Sequence, residues 1–286
     1  MNVTECLTLV SETLDRHVGF ESPSEQAELL IAAALGVKMR EVASKGLRIL
    51  SKWEQDFVLQ YLSKEKLCPV PLYLGYCEVA GIRLAVSTKT LLPGTETEKL
   101  VEYAIDLIHT IGAVRAIDIG TGCGVLAVVL GSRVPSLTVY ATDISQDALV
   151  IAARNVEQYS LSDRVSLHNG EWFDPLDSCS ILGMVDIVVS NPPYCAHTNI
   201  PALPRQFLEY APLVAIDGGP DGLRGHIALI AGATRYLRPE GLLIMQTESG
   251  QVPEVEAILR VQPGFTNTRS LPGSDGVPRF VVSRKA

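Results

Sequence analysis

The stretch Asp118-Ile119-Gly120-Thr121-Gly122-Cys123-Gly124 decides the fold of this chain. It follows the apolar run 115–119, which predicts a buried strand, and it precedes the run 125–133, which predicts a helix. Its glycines let the backbone turn tightly and approach a ligand without a Cβ clash. A dinucleotide-binding G-x-G-x-x-G would place its third glycine at position 125, which is Val. The spacing therefore predicts a strand–loop–helix ligand site of another kind.

Strands and helices are predicted to alternate around this loop. Further strands are predicted at 138–142, 165–167, 186–190, 241–246 and 280–283, and helices at 98–110, 146–159 and 223–237. Such alternation favours an α/β fold, in which a mostly parallel sheet is covered on both faces. Ligands of such sheets bind at the carboxyl ends of the strands.

Asp143 ends the strand after the glycine loop, in Ala141-Thr142-Asp143-Ile144. An acid at this place can accept hydrogen bonds from both ribose hydroxyls of a nucleoside, as in dinucleotide folds. A helix N-cap is the alternative use of such an acid. The loop itself resembles the first motif of S-adenosylmethionine methyltransferases, and the resemblance implies that it passes under the methionine and ribose of that cofactor.

Asn191-Pro192-Pro193-Tyr194 follows the predicted strand 186–190. Consecutive prolines fix the backbone and remove two N–H donors. The side-chain carbonyl of Asn191 and the backbone carbonyl of Pro192 can together accept both hydrogens of a planar NH2 group, and Tyr194 can lie against its face. A sulfonium methyl is already activated, so positioning the nitrogen is the main demand of the reaction. The motif predicts an acceptor site for an amide or amine nitrogen.

Taken together, these motifs resemble the release factor glutamine methyltransferase family, whose members act on a glutamine amide of a release factor. The resemblance extends to Pro93-Gly94-Thr95-Glu96-Thr97-Glu98, to Glu209-Tyr210-Ala211-Pro212 and to the segment Asp217-Gly218-Gly219-Pro220-Asp221-Gly222-Leu223. It implies a Rossmann-like class I S-adenosylmethionine-dependent methyltransferase domain. S-adenosylhomocysteine would then be the product, and a release factor the partner.

The resemblance also implies individual roles. Cofactor contacts are expected from Asp118, Gly120, Thr121, Gly122, Gly124, Asp143, Ile144, Glu171, Trp172, Asn191, Thr97 and Glu98. Acceptor contacts are expected from Asn191, Pro192, Pro193, Tyr194 and Leu91, with Asn191, Pro192 and Tyr194 as the catalytic set. For Trp172, a plain core position is the alternative.

Several acceptor-side residues depart from the family pattern. Gly94 and Thr95 replace its Arg-Pro, Leu91 and Ala80 stand where aromatics are usual, and its E-I-G reads Thr247-Glu248-Ser249-Gly250. These departures leave other functions open. The chain could methylate a small-molecule amine or amide, or cyclise S-adenosylmethionine itself with release of methylthioadenosine. Less favoured are an adenine-N6 nucleic-acid methyltransferase and a binding module without chemistry.

Residues 1–67 read as a small helical bundle. An apolar stripe covers 3–14, and capping boxes at Ser22-Pro23-Ser24-Glu25 and Ser51-Lys52-Trp53-Glu54 predict helices to about 35 and 64. A short helix is predicted at 38–45. Residues 68–93 predict a linking β-hairpin with apolar stretches at 72–74 and 82–86. The chain is thus predicted to have three units, a helical domain at 1–67, the hairpin at 68–93 and the methyltransferase domain at 94–286.

Composition narrows the class of protein further. The 286 residues are 47% hydrophobic, enough for a substantial core, and the net charge is −8. Residues 1–90 hold ten Lys/Arg against eleven Asp/Glu, so no basic arm favours nucleic acid. The six cysteines show neither C-x-x-C pairs nor zinc-ligand spacing, and no metal is expected. Without an apolar run of membrane length or a secretory start, we expect a cytoplasmic protein.

Overall fold

The computed structural model describes residues 1–16 and 22–286. Their N-terminal part is helical. It holds α1 (Val3–Arg16), α2 (Pro23–Leu35), α3 (Met39–Val42), α4 (Lys52–Leu62) and α5 (Val70–Leu74). These helices share a core of their own, in which Leu14, Leu30 and Tyr61 are fully buried. Ser51 caps α4 as predicted, since Ser51 Oγ accepts from the N–H of Glu54 and Glu54 Oε2 accepts from the N–H of Ser51.

Two predictions for this part of the chain are wrong. Ser22 does precede α2, but its backbone is left-handed and its hydroxyl does not cap the helix. Ser22 and Glu25 instead meet Thr95 of the C-terminal part (residues 94–286), whose Oγ1 lies 3.1 Å from Glu25 Oε1. The stretch 72–74 was expected as a strand but lies in α5, because proline fits the first turn of a helix and Gly75 ends it in a left-handed conformation.

The predicted hairpin is present as β1 (Tyr76–Val79) and β2 (Ile82–Ala85), an antiparallel pair that is followed by α6 (Thr95–Ile111). Asn155, fully buried, connects the hairpin to the glycine loop. It exchanges hydrogen bonds with the backbone of Ala85, and its Nδ2 donates to the carbonyl of Cys123 at 2.8 Å.

A seven-stranded sheet forms the centre of the C-terminal part. Its strands are β3 (Arg115–Ile119), β4 (Thr138–Asp143), β5 (Val165–Asn169), β6 (Val185–Ser190), β7 (Leu237–Gln246), β8 (Phe265–Pro272) and β9 (Pro278–Lys285). Its helices are α7 (Val125–Arg133), α8 (Gln146–Gln158), α9 (Arg205–Tyr210), α10 (Arg224–Tyr236) and α11 (Val252–Val261). Short 3₁₀ turns lie at Ala43–Lys45, Asp174–Cys179, Ile200–Ala202, Leu213–Ala215 and Ser249–Gln251.

The strand order is β5-β4-β3-β6-β7-β9-β8. Strands β3 to β7 run parallel, whereas β9 is antiparallel to both of its neighbours. Apolar clusters cover both faces of the sheet, as the sequence predicts for an α/β fold. Because β3, β4 and β6 are neighbours, the segments that follow them meet at one edge.

The sequence patterns missed α9, α11 and β8. The edge strand β8 has a buried residue only at its first position, so it lacks the alternation that identifies a strand. The described residues contain no helix that is both long and apolar enough to cross a membrane. Within the same residues, no group of three or more His, Cys, Asp or Glu side chains could hold a metal ion.

Candidate active site

The glycine loop connects β3 to α7, as predicted. Gly120 and Gly122 have φ of 72° and 58°, which glycine adopts without a Cβ penalty. The N–H groups of Gly120 and Thr121 both donate to the carbonyl of Thr142 at 2.9 Å. The loop is therefore attached to the end of β4, the strand that carries Asp143.

Asp118 lies beneath this loop and is fully buried. Its Oδ2 accepts from Thr121 Oγ1 at 2.7 Å and from the N–H of Ala127 at 3.1 Å. Its Oδ1 is buried and has no partner among the described residues. Burial raises the pKa of Asp118 to about 7. Asp118 does not line the adjoining cavity, so its contacts make it a support for the loop.

Asp143 lies between the loop and α8. Its Oδ2 accepts from the N–H of Gly122 and its Oδ1 from the N–H of Ser145, both at 2.8 Å. Ser145 is the residue that caps α8, since its hydroxyl accepts from the N–H of Ala148. The N-cap alternative for Asp143 is therefore not what the structure shows. Burial raises the pKa of Asp143, and the carboxylate lines the cavity.

A cavity of about 310 Å³ opens above the loop. The structure brings most of the predicted cofactor residues to its wall, namely Gly120, Thr121, Gly122, Asp143, Ile144, Glu171, Trp172, Asn191 and Thr97. Leu91 and Pro193 lie there too. Ile144 is 53% exposed, which leaves an apolar surface at the cavity without a partner from the chain.

Five predicted contact residues do not reach this wall. Asp118 and Pro192 are buried, Gly124 lies where the loop enters α7, and Tyr194 lines a neighbouring cleft. Glu98 is turned away, because its Oε1 accepts from the N–H of Ala80 in the hairpin at 2.9 Å. Glu98 therefore connects α6 to the hairpin.

The segment Asn191–Tyr194 starts where β6 ends, beside the glycine loop. Ser190 Oγ donates to the carbonyl of Ile119 at 2.7 Å, which holds the ends of β6 and β3 together. Asn191 lines the cavity, and its Oδ1 is buried with no hydrogen-bond partner among the described residues. A buried acceptor of this kind needs a donor from water or from a ligand.

A second layer of chain braces this segment. The N–H of Cys195 donates to the carbonyl of Ile216, and the N–H of Gly218 donates back to Cys195. Gln251 Nε2 donates to the carbonyl of Tyr194 at 3.0 Å. At Gly222, an added Cβ would lie 2.3 Å from the same Tyr194 carbonyl. The pattern Asp217–Leu223 was noted in the sequence only as a family resemblance, and no local signal pointed to Gln251.

A cleft of about 480 Å³ also borders Asn191 and lies between α2 and the C-terminal part. Both linings contain Leu91, Leu92, Pro93, Thr97 and Asn191, so the cleft and the cavity adjoin each other at these residues. Tyr194, predicted as an acceptor residue, lines the cleft and not the cavity. Asn191 thus stands where two ligands can meet.

Known proteins are similar to this chain in sequence. The family described as Methyltransferase small domain matches residues 101–220, which include both the glycine loop and Asn191–Tyr194. A release factor glutamine methyltransferase of Gloeobacter violaceus is 34% identical over 90% of this chain and 89% of its own length. One of Rhodopirellula baltica is 35% identical over 95% of this chain and 92% of its own length.

Solved structures agree in fold. The hMettl16 catalytic domain, solved in complex with a MAT2A 3′UTR hairpin, aligns with a TM-score of 0.58 over 72% of this chain and 76% of its own, at 19% identity. Cofactor-bound Rv0187 from MTB aligns with a TM-score of 0.51 over 69% of this chain and 84% of its own, at 16% identity.

Fold, site and relatives define this chain as a methyltransferase with a Rossmann-like fold. Identity of this level over nine-tenths of the chain places it more narrowly: the chain belongs to the release factor glutamine methyltransferase family.

Proposed function

We propose that this enzyme transfers the methyl group of S-adenosylmethionine to the side-chain amide nitrogen of a glutamine in a peptide chain release factor. The proposal rests on the unpaired side-chain oxygen of Asn191. Its buried Oδ1 has no partner among the described residues, and its side chain lines both the cavity and the cleft. A glutamine NH2 group in the cleft would supply the missing donor.

The residues around the cavity fit S-adenosylmethionine. An added Cβ at Gly120 or Gly122 would meet nothing within 4 Å, so the loop backbone faces open space large enough for a ligand to lie against it. The second lone pairs of the Asp143 carboxylate can accept from ribose hydroxyls. Ile144 and Trp172 offer apolar surface for the adenine ring, and Glu171 a polar group near its edge.

Thr97 stands at the other end of the same cavity, in the first turn of α6, where a methionine group would lie. When bound, the cofactor supplies an activated methyl group on a sulfonium. S-adenosylhomocysteine would leave as the product.

The acceptor amide is a weak nucleophile, because its lone pair is delocalised. The side-chain carbonyl of Asn191 accepts one of its hydrogens and favours a pyramidal nitrogen. Pro192, predicted as the second acceptor, lines neither the cavity nor the cleft. As positive charge develops on that nitrogen, the hydrogen bond to Asn191 strengthens, so it stabilises the transition state more than the ground state. The proton can leave after transfer, which makes a general base unnecessary.

The alternative functions have less support. The relatives over the length of the chain are named for release factor glutamine, and none of those described here is named for a small-molecule acceptor or for cyclisation. The net charge of −8 argues against a nucleic-acid acceptor. Action on a release factor would place the enzyme in the cytoplasm, where translation occurs.

The test is a product analysis. The purified enzyme is incubated with labelled S-adenosylmethionine, with and without a release factor, and products are identified by mass spectrometry. We expect one glutamine of the release factor to gain the mass of a methylene group, and a release factor with that glutamine replaced by asparagine to gain none. Methylthioadenosine formed without any acceptor would overturn the proposal in favour of cyclisation.

A further inference from the structure

The cleft beside Asn191 is rich in hydrogen-bond acceptors. Its lining contains four carboxylates, those of Glu25, Glu78, Glu96 and Glu248. Among the lining residues that the structure describes, Arg279 is the one cationic side chain, and it already pairs with Asp275 at 3.0 Å and with Glu248 at 3.5 Å. A ligand that fits this cleft must bring donors of its own.

Gln246, the last residue of β7, provides one acceptor. The residue is 4% exposed and lines the cleft. Its Nε2 donates to the Tyr194 hydroxyl at 3.1 Å, whereas its Oε1 is buried without a partner among the described residues. An unpaired buried amide oxygen costs free energy, which a ligand donor would recover. The terminal torsion of a glutamine is soft, so the amide can turn to meet that donor.

Glu96, in the first turn of α6, provides the second acceptor. Its Oε1 is held by Ser274, from both the backbone N–H and the hydroxyl. Its Oε2 is buried beside Gly273 and the stem of Arg279, and no described residue donates a hydrogen bond to it. One oxygen therefore fixes the carboxylate in place while the other has no donor, and a carboxylate binds a cationic donor more strongly than a neutral one.

We propose that Gln246 and Glu96 are specificity-determining residues that bind the peptide segment on either side of the acceptor glutamine. Gln246 Oε1 accepts from a backbone N–H of that segment, and Glu96 Oε2 from a lysine or arginine side chain close to the glutamine. The inference rests on the proposed function. It adds that the acceptor protein needs a lysine or arginine close to its glutamine.

The Gln246 part is tested by two variants with a release factor as acceptor. Gln246→Met has a similar volume but no acceptor, and we expect it to raise KM for the release factor about tenfold. Gln246→Glu retains an acceptor, and we expect it to restore KM to within about twofold of the wild type. Both should bind S-adenosylhomocysteine as the wild type does, which a general packing defect would not allow. An unchanged KM in Gln246→Met, or an equal loss in both variants, would overturn this role.

The Glu96 part is tested by a double-mutant cycle. Each lysine and arginine near the acceptor glutamine of the release factor is replaced by methionine, and KM is measured with the wild type and with Glu96→Gln. We expect one position at which the replacement raises KM about tenfold with the wild type and leaves it unchanged with Glu96→Gln. Glu254→Gln, which removes an exposed carboxylate outside the cleft, is the matched control and should behave as the wild type.

If no position of the release factor couples to Glu96, its role as a specificity residue is refuted. Failure of this inference is distinguishable from failure of the proposed function. In the first case the methylated glutamine is still found by mass spectrometry and only the KM pattern differs. In the second case no methylated glutamine is formed at all.

Discussion

The two sides of the active site differ in how their polar groups are satisfied. At the wall of the cavity, the chain supplies the partners of Asp143, which accepts from Gly122 and Ser145. Asp118, which does not line the cavity, has one oxygen that accepts from Thr121 and one without a donor among the described residues. On the acceptor side, Asn191, Glu96 and Gln246 each keep a buried acceptor atom with no donor among the described residues. The wall around Asp143 is therefore held by hydrogen bonds of the chain itself, whereas we expect the acceptor side to be completed by its substrate.

The strongest test of this contrast is Asn191→Ala. Removing the acceptor should lower kcat by about 10²–10³-fold, because the lost hydrogen bond acts mainly in the transition state. The dissociation constant of S-adenosylhomocysteine should change little. Asn199→Ala, in an exposed loop, is the matched control and should retain wild-type kcat. Weak cofactor binding by Asn191→Ala would mean that the two sides are not separable.

Gly222→Ala tests the brace behind the acceptor side. The new Cβ would lie 2.3 Å from the Tyr194 carbonyl and 2.2 Å from Gln251 Nε2, so the segment that follows Asn191 must shift. We expect kcat/KM to fall at least about tenfold, since small misplacements of a positioning segment are costly. Gly112→Ala has a similar positive φ of 63° but open space around its Cβ, and it should lose stability without losing kcat/KM. Equal kcat/KM in the two variants would show that the contacts behind Tyr194 do not position the Asn191–Tyr194 segment.

Asp143→Asn tests the cofactor side. The amide keeps one acceptor oxygen but loses the charge and one of the two acceptors, so we expect the dissociation constant of S-adenosylhomocysteine to rise about tenfold. Isothermal titration calorimetry measures this directly. Asp163→Asn, an exposed carboxylate remote from the cavity, should bind as the wild type does. An unchanged dissociation constant in Asp143→Asn would show that Asp143 does not bind the ribose.

Asp118 is expected to affect stability and not activity, and its effect appears as a pH dependence. Burial raises its pKa to about 7 from 3.8, so between these values the folded state keeps a proton that the unfolded chain has lost. The stability contributed by protonated Asp118 is complete below the lower value and is lost as pH rises through the upper one. In urea unfolding without cofactor, the wild type should therefore lose stability relative to Asp118→Asn between about pH 4 and pH 8. A difference that stays constant with pH would show that the carboxyl titrates normally.

The same contrast explains what could be predicted from the sequence. The cofactor loop is one contiguous motif, so β3, α7 and Asp143 could be placed from spacing alone. The cleft is assembled from Glu25, Glu96, Gln246 and Arg279, which are far apart in the chain and share no local pattern. The family resemblance assigns both Thr97 and Glu98 to the cofactor, but successive helix residues point to different faces, and only Thr97 lines the cavity.

Elsewhere, tertiary contacts override local rules. The Ser22 capping box fits its motif, yet Glu25 contacts Thr95 of the C-terminal part instead of completing the cap. The three-unit division of the chain stays a prediction, and so do the roles of individual site residues.

Asn191 borders both the cavity and the cleft, and this has a practical consequence for inhibitor design. A single compound that joins an adenosine group, through a short linker at the position of the sulfur, to a glutamine side chain would occupy both spaces at once. Its second half would bind without a further loss of translational freedom, so its affinity could exceed that of either fragment by orders of magnitude. A cationic group added beside the glutamine part would then direct such a compound to Glu96.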